Sequence, residues 1–289
     1  MTIGYNNGIS GSSIEFLGER VRKTACTGKE SKLIAQYANL LELRSRIATH
    51  CVQLIGAGTN YYSMAFCPGV SFDVYCTMCT QQIAFVRLKE IISVLWDELY
   101  SRHDQSVNIA AYVDYFIKRV LDYARCGRDT SRLIEILNEV KSRLNGRSAL
   151  ETSPGGLVHG DLTFENIMVT ADSFVLIDSN PPPGGVGCMA LDAGKIRQSL
   201  FSYYELSKYS GPMATTGLKA TYSYLANRFS SLFPFWNGSL DLQSRFYEAS
   251  HYIRLLDYKY NTHPSQADSF YGQTVHLLEE VLDELSFRG

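Results

Sequence analysis

The stretch His159-Gly-Asp-Leu-Thr-Phe-Glu-Asn166, followed by Phe174-Val-Leu-Ile-Asp178, decides the reading of this 289-residue chain. It carries three oxygen-bearing side chains, Asp161, Asn166 and Asp178, with Asp178 twelve residues beyond Asn166. Leu157-Val158 and Ile167-Met-Val169 are short apolar runs flanking the first stretch. Phe174-Val-Leu-Ile177 is an apolar run of strand length, and the Thr170-Ala-Asp-Ser173 segment before it is a turn signal. The breaker-rich Asn180-Pro-Pro-Pro-Gly-Gly185 ends that run. Two short strands joined at the turn bring Asn166 and Asp178 to one end of a hairpin. A carboxylate and an amide oxygen there suit Mg²⁺, a hard cation that takes one or two protein carboxylates and completes its shell with water and substrate phosphates.

The pattern resembles the catalytic loop and metal strand of kinases. In protein kinases one Asp accepts the proton of the attacking hydroxyl, an Asn holds magnesium, and a later Asp holds the metal that bridges the phosphates. His-Gly-Asp in place of His-Arg-Asp, with Ile-Asp at the metal strand, is similar to the aminoglycoside phosphotransferase and choline kinase group of small-molecule kinases. The resemblance continues in Leu191-Asp-Ala-Gly-Lys-Ile-Arg-Gln-Ser-Leu200 and, upstream, in Tyr61-Tyr-Ser-Met-Ala-Phe-Cys-Pro-Gly69. It touches most of the chain up to about residue 209.

What the resemblance implies is an α+β, bilobal, protein-kinase-like fold. A small β-rich nucleotide-binding lobe would occupy residues 1–67, and a mainly helical lobe with the catalytic loop and acceptor site residues 68–289. It also implies Asp161 as catalytic base, Asn166 and Asp178 as Mg²⁺ ligands, and ATP or GTP as phosphoryl donor. The backbone at Ala65, Phe66 and Cys67 would meet the base. The acceptor would be a small-molecule alcohol, a sugar or polyol first and an amino alcohol next.

Asn6-Asn-Gly-Ile-Ser-Gly-Ser-Ser13 is a small-residue turn suited to letting backbone N–H groups approach phosphates, through Gly8, Ser10, Gly11 and Ser12. Among Arg20, Arg22, Lys23 and Lys29, Lys23 is the residue expected on the nucleotide phosphates. Its helix partner stays open among Gln36, Glu42 and Glu30.

Further candidates follow from position. Glu165 and Asn180 flank the loop and are expected on the acceptor side. Lys195 and Arg197 lie on the helix after it, where either could take an anionic group of the acceptor, although a solvated helix face is the weightier expectation. Asp192 reads as a helix cap that ties down the loop after Asp178. His159 reads as a structural imidazole ordering the loop by hydrogen bonds rather than as a proton carrier.

Composition narrows the class. A formal net charge of −2 gives no electrostatic reason to expect nucleic acid or an anionic membrane, and 45% hydrophobic with 19% charged residues is an ordinary globular mixture. The sequence shows no signal segment and no apolar stretch of membrane-spanning length, so a cytoplasmic protein is expected. Seven scattered cysteines do not suggest a disulfide framework, and Cys76-Thr-Met-Cys79 reads as small buried hydrophobes rather than half a zinc site.

Apolar spacing predicts helices over about 80–101, with Ile83, Val86, Ile91, Leu95 and Leu99 inward, then over 107–126, along Leu133 to Leu144, and from His276 to Leu285. Asn145-Gly and Ser153-Pro-Gly-Gly156 read as punctuation, and the aromatic-rich 210–270 region as core. The rival from another class is a catalytically inactive kinase-like module that binds a nucleotide or a partner. A protein kinase is disfavoured because Asp-Phe-Gly and Ala-Pro-Glu signatures are absent.

Overall fold

The computed structural model describes residues 3–7, 12–125, 127–208, 212–262 and 264–287. Strands β1 (Ile3–Asn7), β2 (Ser13–Leu17) and β3 (Arg20–Thr24) form an antiparallel meander. Helix α1 (Glu30–Arg46) then crosses to β4 (Leu54–Ala57) and β5 (Tyr61–Ala65), giving a sheet of order β1-β2-β3-β5-β4. Leu33, Leu40 and Leu43 recur at helical spacing on α1 and are buried. Tyr37 beside them packs on Tyr62 of β5, with ring centroids 5.8 Å apart.

The chain then leaves this sheet through β6 (Val70–Ser71) and enters α2 (Phe72–Met78) and α3 (Gln81–Glu98). Thr80 starts α3 by accepting from Ile83 N at 3.3 Å. The buried face of α3 is Ala84, Leu88, Ile91, Ile92 and Leu95, whereas Ile83 and Val86 are exposed. Ile83 precedes Leu88 by five residues, a rotation of about 140° at 3.6 residues per turn, so the expected inward face is corrected there.

Next come β7 (Gln105–Asn108), α4 (Ile109–Ala124), α5 (Ser131–Leu144), α6 (Ser148–Glu151) and β8 (Thr152–Gly156). The Ser153-Pro-Gly-Gly156 segment read as punctuation is a strand, paired with β7. A Cβ on Gly155 would stand 2.4 Å from Val107 Cγ2, so the close cross-strand approach itself requires glycine. Leu157 and Val158, by contrast, run outside any strand.

The expected hairpin is present as β9 (Ile167–Val169) and β10 (Phe174–Leu176), in register Ile167 with Leu176 and Val169 with Phe174. β6 pairs on its other edge. After β11 (Gly187–Cys188) the chain is helical: α7 (Met189–Leu200), α8 (Pro212–Ala226), α9 (Phe229–Leu232), α10 (Gly238–Thr262) and α11 (Pro264–Phe287). The last helix starts twelve residues before His276, at a proline, which is well suited to a first helical turn. Tyr222, Phe233, Phe246 and Tyr247 of the aromatic region are buried, while Phe235 is exposed.

A small antiparallel sheet followed by a mainly helical part is the α+β class expected. The connector after α1 joins the two: Val52 N donates to Leu176 O at 3.0 Å, and the His50 ring stacks on Phe174 at 4.3 Å. No helix among the described residues is long and apolar enough to cross a membrane.

Candidate active site

The loop between Val158 and β9 is a chain of short local bonds. Asp161 O accepts from Thr163 N at 2.8 Å and from Asn166 Nδ2 at 2.8 Å, and Thr163 O accepts from Asn166 N at 3.0 Å. Ile177 N donates to Asn166 O at 3.0 Å, which sets Asn166 beside Asp178 at the open end of the hairpin. Gly160 makes the tight approach possible: its φ is +75°, and a Cβ there would stand 2.1 Å from Asn180 O. Asp178 itself adopts φ +53°, a left-handed conformation uncommon outside glycine and characteristic of functional turns.

The fully buried His159 orders this loop, as expected. Its Nε2–H donates to Ile177 O at 2.8 Å, its Nδ1 receives Asp161 N–H at 3.3 Å, and its carbonyl receives Asn180 N–H at 3.0 Å. Asp192 has a different job from the expected cap. It is the fourth residue of α7, and its carboxylate accepts from the backbone N–H groups of His159 (2.9 Å) and Gly160 (2.7 Å) and from Tyr100 O–H (2.9 Å). It therefore fastens the start of the loop rather than the segment after Asp178. Burial pushes its carboxyl pKa up, against the pull of His159 and these donors.

Across the cleft, Lys23 on β3 is buried and ion-paired to Asp178. Among the described residues Asp178 is the sole ion-pair or hydrogen-bond partner of its ammonium, so none of Gln36, Glu42 and Glu30 fills the partner position. Gln36 is buried, but it is its backbone carbonyl that accepts, from Ser179 Oγ at 3.4 Å. On the loop side, Lys195 Nζ lies 2.9 Å from Asp161 Oδ1 and 3.0 Å from Gln198 Oε1. Burial alone would raise the Asp161 pKa, yet the Lys195 ammonium and the Arg254 guanidinium outweigh it and hold the carboxyl below its ordinary value.

No family model matches the chain, and no curated protein matches it in sequence. Solved structures do match. An aminoglycoside phosphotransferase APH(2")-IIa in complex with gentamicin superposes with a TM-score of 0.61 at 14% identity, over 94% of this chain and 91% of that one. A choline kinase from Streptococcus pneumoniae gives a TM-score of 0.61 at 12% identity, over 97% and 95%. A choline/ethanolamine kinase family protein from Mesorhizobium loti gives 0.56 at 12%, over 98% and 92%. The chain has the fold of these small-molecule kinases.

Within this kinase fold the remaining candidates separate. Ser12 is buried, while Gly8, Ser10 and Gly11 lie outside the described residues. In the hinge segment, Ala65 N and Phe66 N already donate to Gln53 O and Glu19 O, at 2.8 Å each, so neither amide is free for a base. Cys67 is half-buried and Phe66 exposed. Glu165 is half-buried on the single turn Phe164–Asn166, and Asn180 meets the loop through its backbone.

The expectation of a solvated face for Lys195 and Arg197 is corrected, because every residue of α7 is buried between α8 and α10. Arg197 points away from Asp161: its guanidinium bonds Glu248 at 3.0 Å, lies 3.6 Å from Asp241 and stacks over Phe201.

Three groups near the site escape the sequence. Lys32 on α1 and Arg254 on α10 face Asp161 electrostatically. Lys32 stands four residues before Gln36, a spacing that could have flagged it, whereas nothing local marks Arg254. Glu205, wholly buried, accepts from Ser199 Oγ at 2.6 Å and from Phe164 N at 3.2 Å, and burial raises its pKa to about 7.

The donor set suits Mg²⁺. Asn166 commits its Nδ2 to Asp161 O and makes no hydrogen bond through Oδ1 with any described residue, while Asp178 adds a partly exposed carboxylate. No cluster of three or more His, Cys, Asp or Glu capable of holding a metal occurs among the described residues. Magnesium on a nucleotide needs none, since phosphates and water complete its shell. Cys76 is buried and Cys79 half-buried, both as free thiols, and burial pushes both pKa values up.

Proposed function

We propose that this protein is a small-molecule kinase that moves the γ-phosphoryl group of ATP or GTP to an alcohol. The observation that carries the reading is the convergence of Asp161, Asn166 and Asp178 around one loop end, with Lys23 reaching Asp178 from the opposite sheet. The lobes are assigned as residues 1–67 and 68–289.

Asp161 orients the acceptor hydroxyl and takes its proton as the oxygen attacks phosphorus. A new O–P bond forms, the bond from the γ-phosphorus to the β–γ bridging oxygen breaks, and the electron pair leaves with the nucleoside diphosphate. An Asp held ionised by Lys195 is ready to accept at neutral pH. Asn166 and Asp178 would hold Mg²⁺, which supplies charge neutralisation on the phosphates when bound. Lys23 offers a buried ammonium to the same phosphates. Asp192 and His159 act as positioning residues, fixing the loop so that Asp161 need not reorganise.

The test is a coupled assay for nucleoside diphosphate release over a panel of alcohols. Asp161→Asn is expected to lose about 10²–10⁴ in turnover while keeping the Mg²⁺-nucleotide shift in melting temperature. Undiminished turnover in that variant removes Asp161 from the role of base. The rival reading, an inactive nucleotide-binding module, draws on one observation: no carboxylate of α1 pairs with Lys23. Stabilisation by nucleotide without turnover on any alcohol would favour it.

A further inference from the structure

The acceptor side of this site is positively charged, which bears on what the acceptor can be. Helices α7 and α10 run antiparallel: His251 Nε2 donates to Leu191 O at 3.2 Å, and a Cβ on Gly194 would stand 2.8 Å from Tyr247 Cβ. Side chains on a helix lean toward its N-terminus. Lys195 therefore leans back along α7 toward Leu191, and Arg254 back along α10 toward His251, so the two cationic heads gather at one level beside Asp161. The guanidinium of Arg254 acts electrostatically on Asp161, Lys195, His251 and Lys32, and Lys32 on α1 also feels Asp161, Lys23 and Asp178.

The charges do not cancel. Lys23 is paired with Asp178 and Lys195 with Asp161, and burial pushes the two further carboxyls beside the loop, Asp192 and Glu205, toward their neutral forms. Arg254 and Lys32 make no hydrogen bond or ion pair with any described residue. A guanidinium carries five donors in a fork that matches phosphate or carboxylate oxygens, and a half-buried one is costly to leave without them. Arg254 also stands on α10, whereas the cation assigned to the nucleotide stands on β3. An unpaired guanidinium acting on Asp161, with the Lys32 ammonium acting on Asp161 and Asp178 alike, would repel an ammonium group and attract an anion.

Resting on the reading of Asp161 as the base, we propose that the acceptor alcohol carries an anionic group, a phosphate or a carboxylate, held by Arg254 with Lys195 and Lys32 around it. This selects against amino alcohols and amino sugars and in favour of an acidic sugar or polyol. The hydroxyl that attacks and the anion that anchors are separate groups on one molecule.

The test compares glucose, glucosamine, glucuronate and glucose 6-phosphate, four forms of one ring that differ in charge, together with inorganic phosphate. Each is titrated onto the protein loaded with Mg²⁺ and a non-hydrolysable ATP analogue, so a compound that binds without turnover still reports and the nucleotide site is filled. The expected result is that the anionic probes bind about tenfold or more tightly than glucose and glucosamine. Whichever of glucuronate and glucose 6-phosphate binds more tightly names carboxylate or phosphate as the anion. Arg254→Gln and Lys32→Gln should each raise the Kd of the anionic probes without favouring glucose, and Arg254→Lys should keep the preference. The inference is overturned by preference for glucosamine, by a charge preference that survives both neutral variants, or by failure of all three anionic probes to bind. Absence of nucleotide turnover on every alcohol, with Arg254-dependent anion binding intact, would instead overturn the kinase reading alone and leave the anion site supported.

Discussion

Lys23 and Asp178, 155 positions apart in sequence, form an ion pair that spans the gap between the N-terminal sheet and the end of the β9–β10 hairpin. The same carboxylate is the one assigned to magnesium, so a metal–nucleotide complex entering the site competes with Lys23 for it. Lys23→Met is expected to reduce turnover by about 10² or more while leaving divalent-metal binding in place. Asp178→Asn is expected to lose both. Calorimetric titration of Mg²⁺ and Mg²⁺-nucleotide onto the two variants checks this, and identical binding behaviour in both would contradict the assigned division of labour.

The Asp192 carboxylate collects two loop amides and the Tyr100 hydroxyl in a buried setting. Tyr100→Phe removes one donor and is expected to cost about 1 kcal/mol, whereas Asp192→Ala strands two buried N–H groups and is expected to cost about 3 kcal/mol. Both changes should lower kcat more than they raise the KM for nucleotide. Denaturant unfolding together with steady-state kinetics measures the pair of effects.

Glu205 gives the fold a pH dependence of predictable sign. Its folded pKa of about 7 lies above its ordinary 4.5, so the native state holds its proton more tightly than the unfolded chain does. Its contribution to stability is neutral below the ordinary value, turns unfavourable as pH rises through the window from about 4.5 to 7, and is constant above. The full loss is about 3 kcal/mol. Its Oε2 has no hydrogen-bond partner among the described residues, so nothing there stabilises the ionised form against burial. Glu205→Gln should flatten this part of the stability profile, read from urea midpoints at pH 5 and 8. An unchanged slope would refute the assignment.

Gly160 tests the loop conformation directly. Gly160→Ala has to carry a Cβ at φ +75° and 2.1 Å from Asn180 O. Displacing that backbone moves Asn180 away from His159, and the expected cost is about 2–3 kcal/mol with loss of most activity. Gly18→Ala, also at positive φ but with open space around it, is the comparison: it should be milder and leave turnover largely intact.

The hairpin and the three residues it gathers were legible because each part signals locally: apolar strands, a polar turn between them, and a fixed spacing to Asp161. The α+β class is what the resemblance carried by this segment implies. Other features arise only from tertiary packing. Ser153 to Gly156 is a strand although proline and two glycines argue against one, because pairing with β7 at close range overrides local propensity. Lys195 and Arg197 read as surface charges until α8 and α10 close over α7. Arg254 lies in a helix of mixed polarity, 93 residues beyond Asp161, and no pattern in the chain points from one to the other. The resemblance puts the partner of Lys23 on α1, where kinases keep a carboxylate, and the structure pairs it with Asp178 instead.

Gly194 has a consequence for how this protein could acquire a new substrate. Tyr247 Cβ, Glu248 N and Ser244 O all stand within 3.0 Å of where its side chain would begin, so α7 is pressed flush against α10 while Asp192 and Lys195 on the same helix grip the loop. Substitutions along α7 would disturb the Lys195–Asp161 pair and the loop fastened by Asp192. Adaptive drift in acceptor choice is therefore steered toward α10 and α1, where Arg254 and Lys32 can be exchanged without unpacking α7 from α10, although losing the Arg254 guanidinium would also let the Asp161 carboxyl pKa rise.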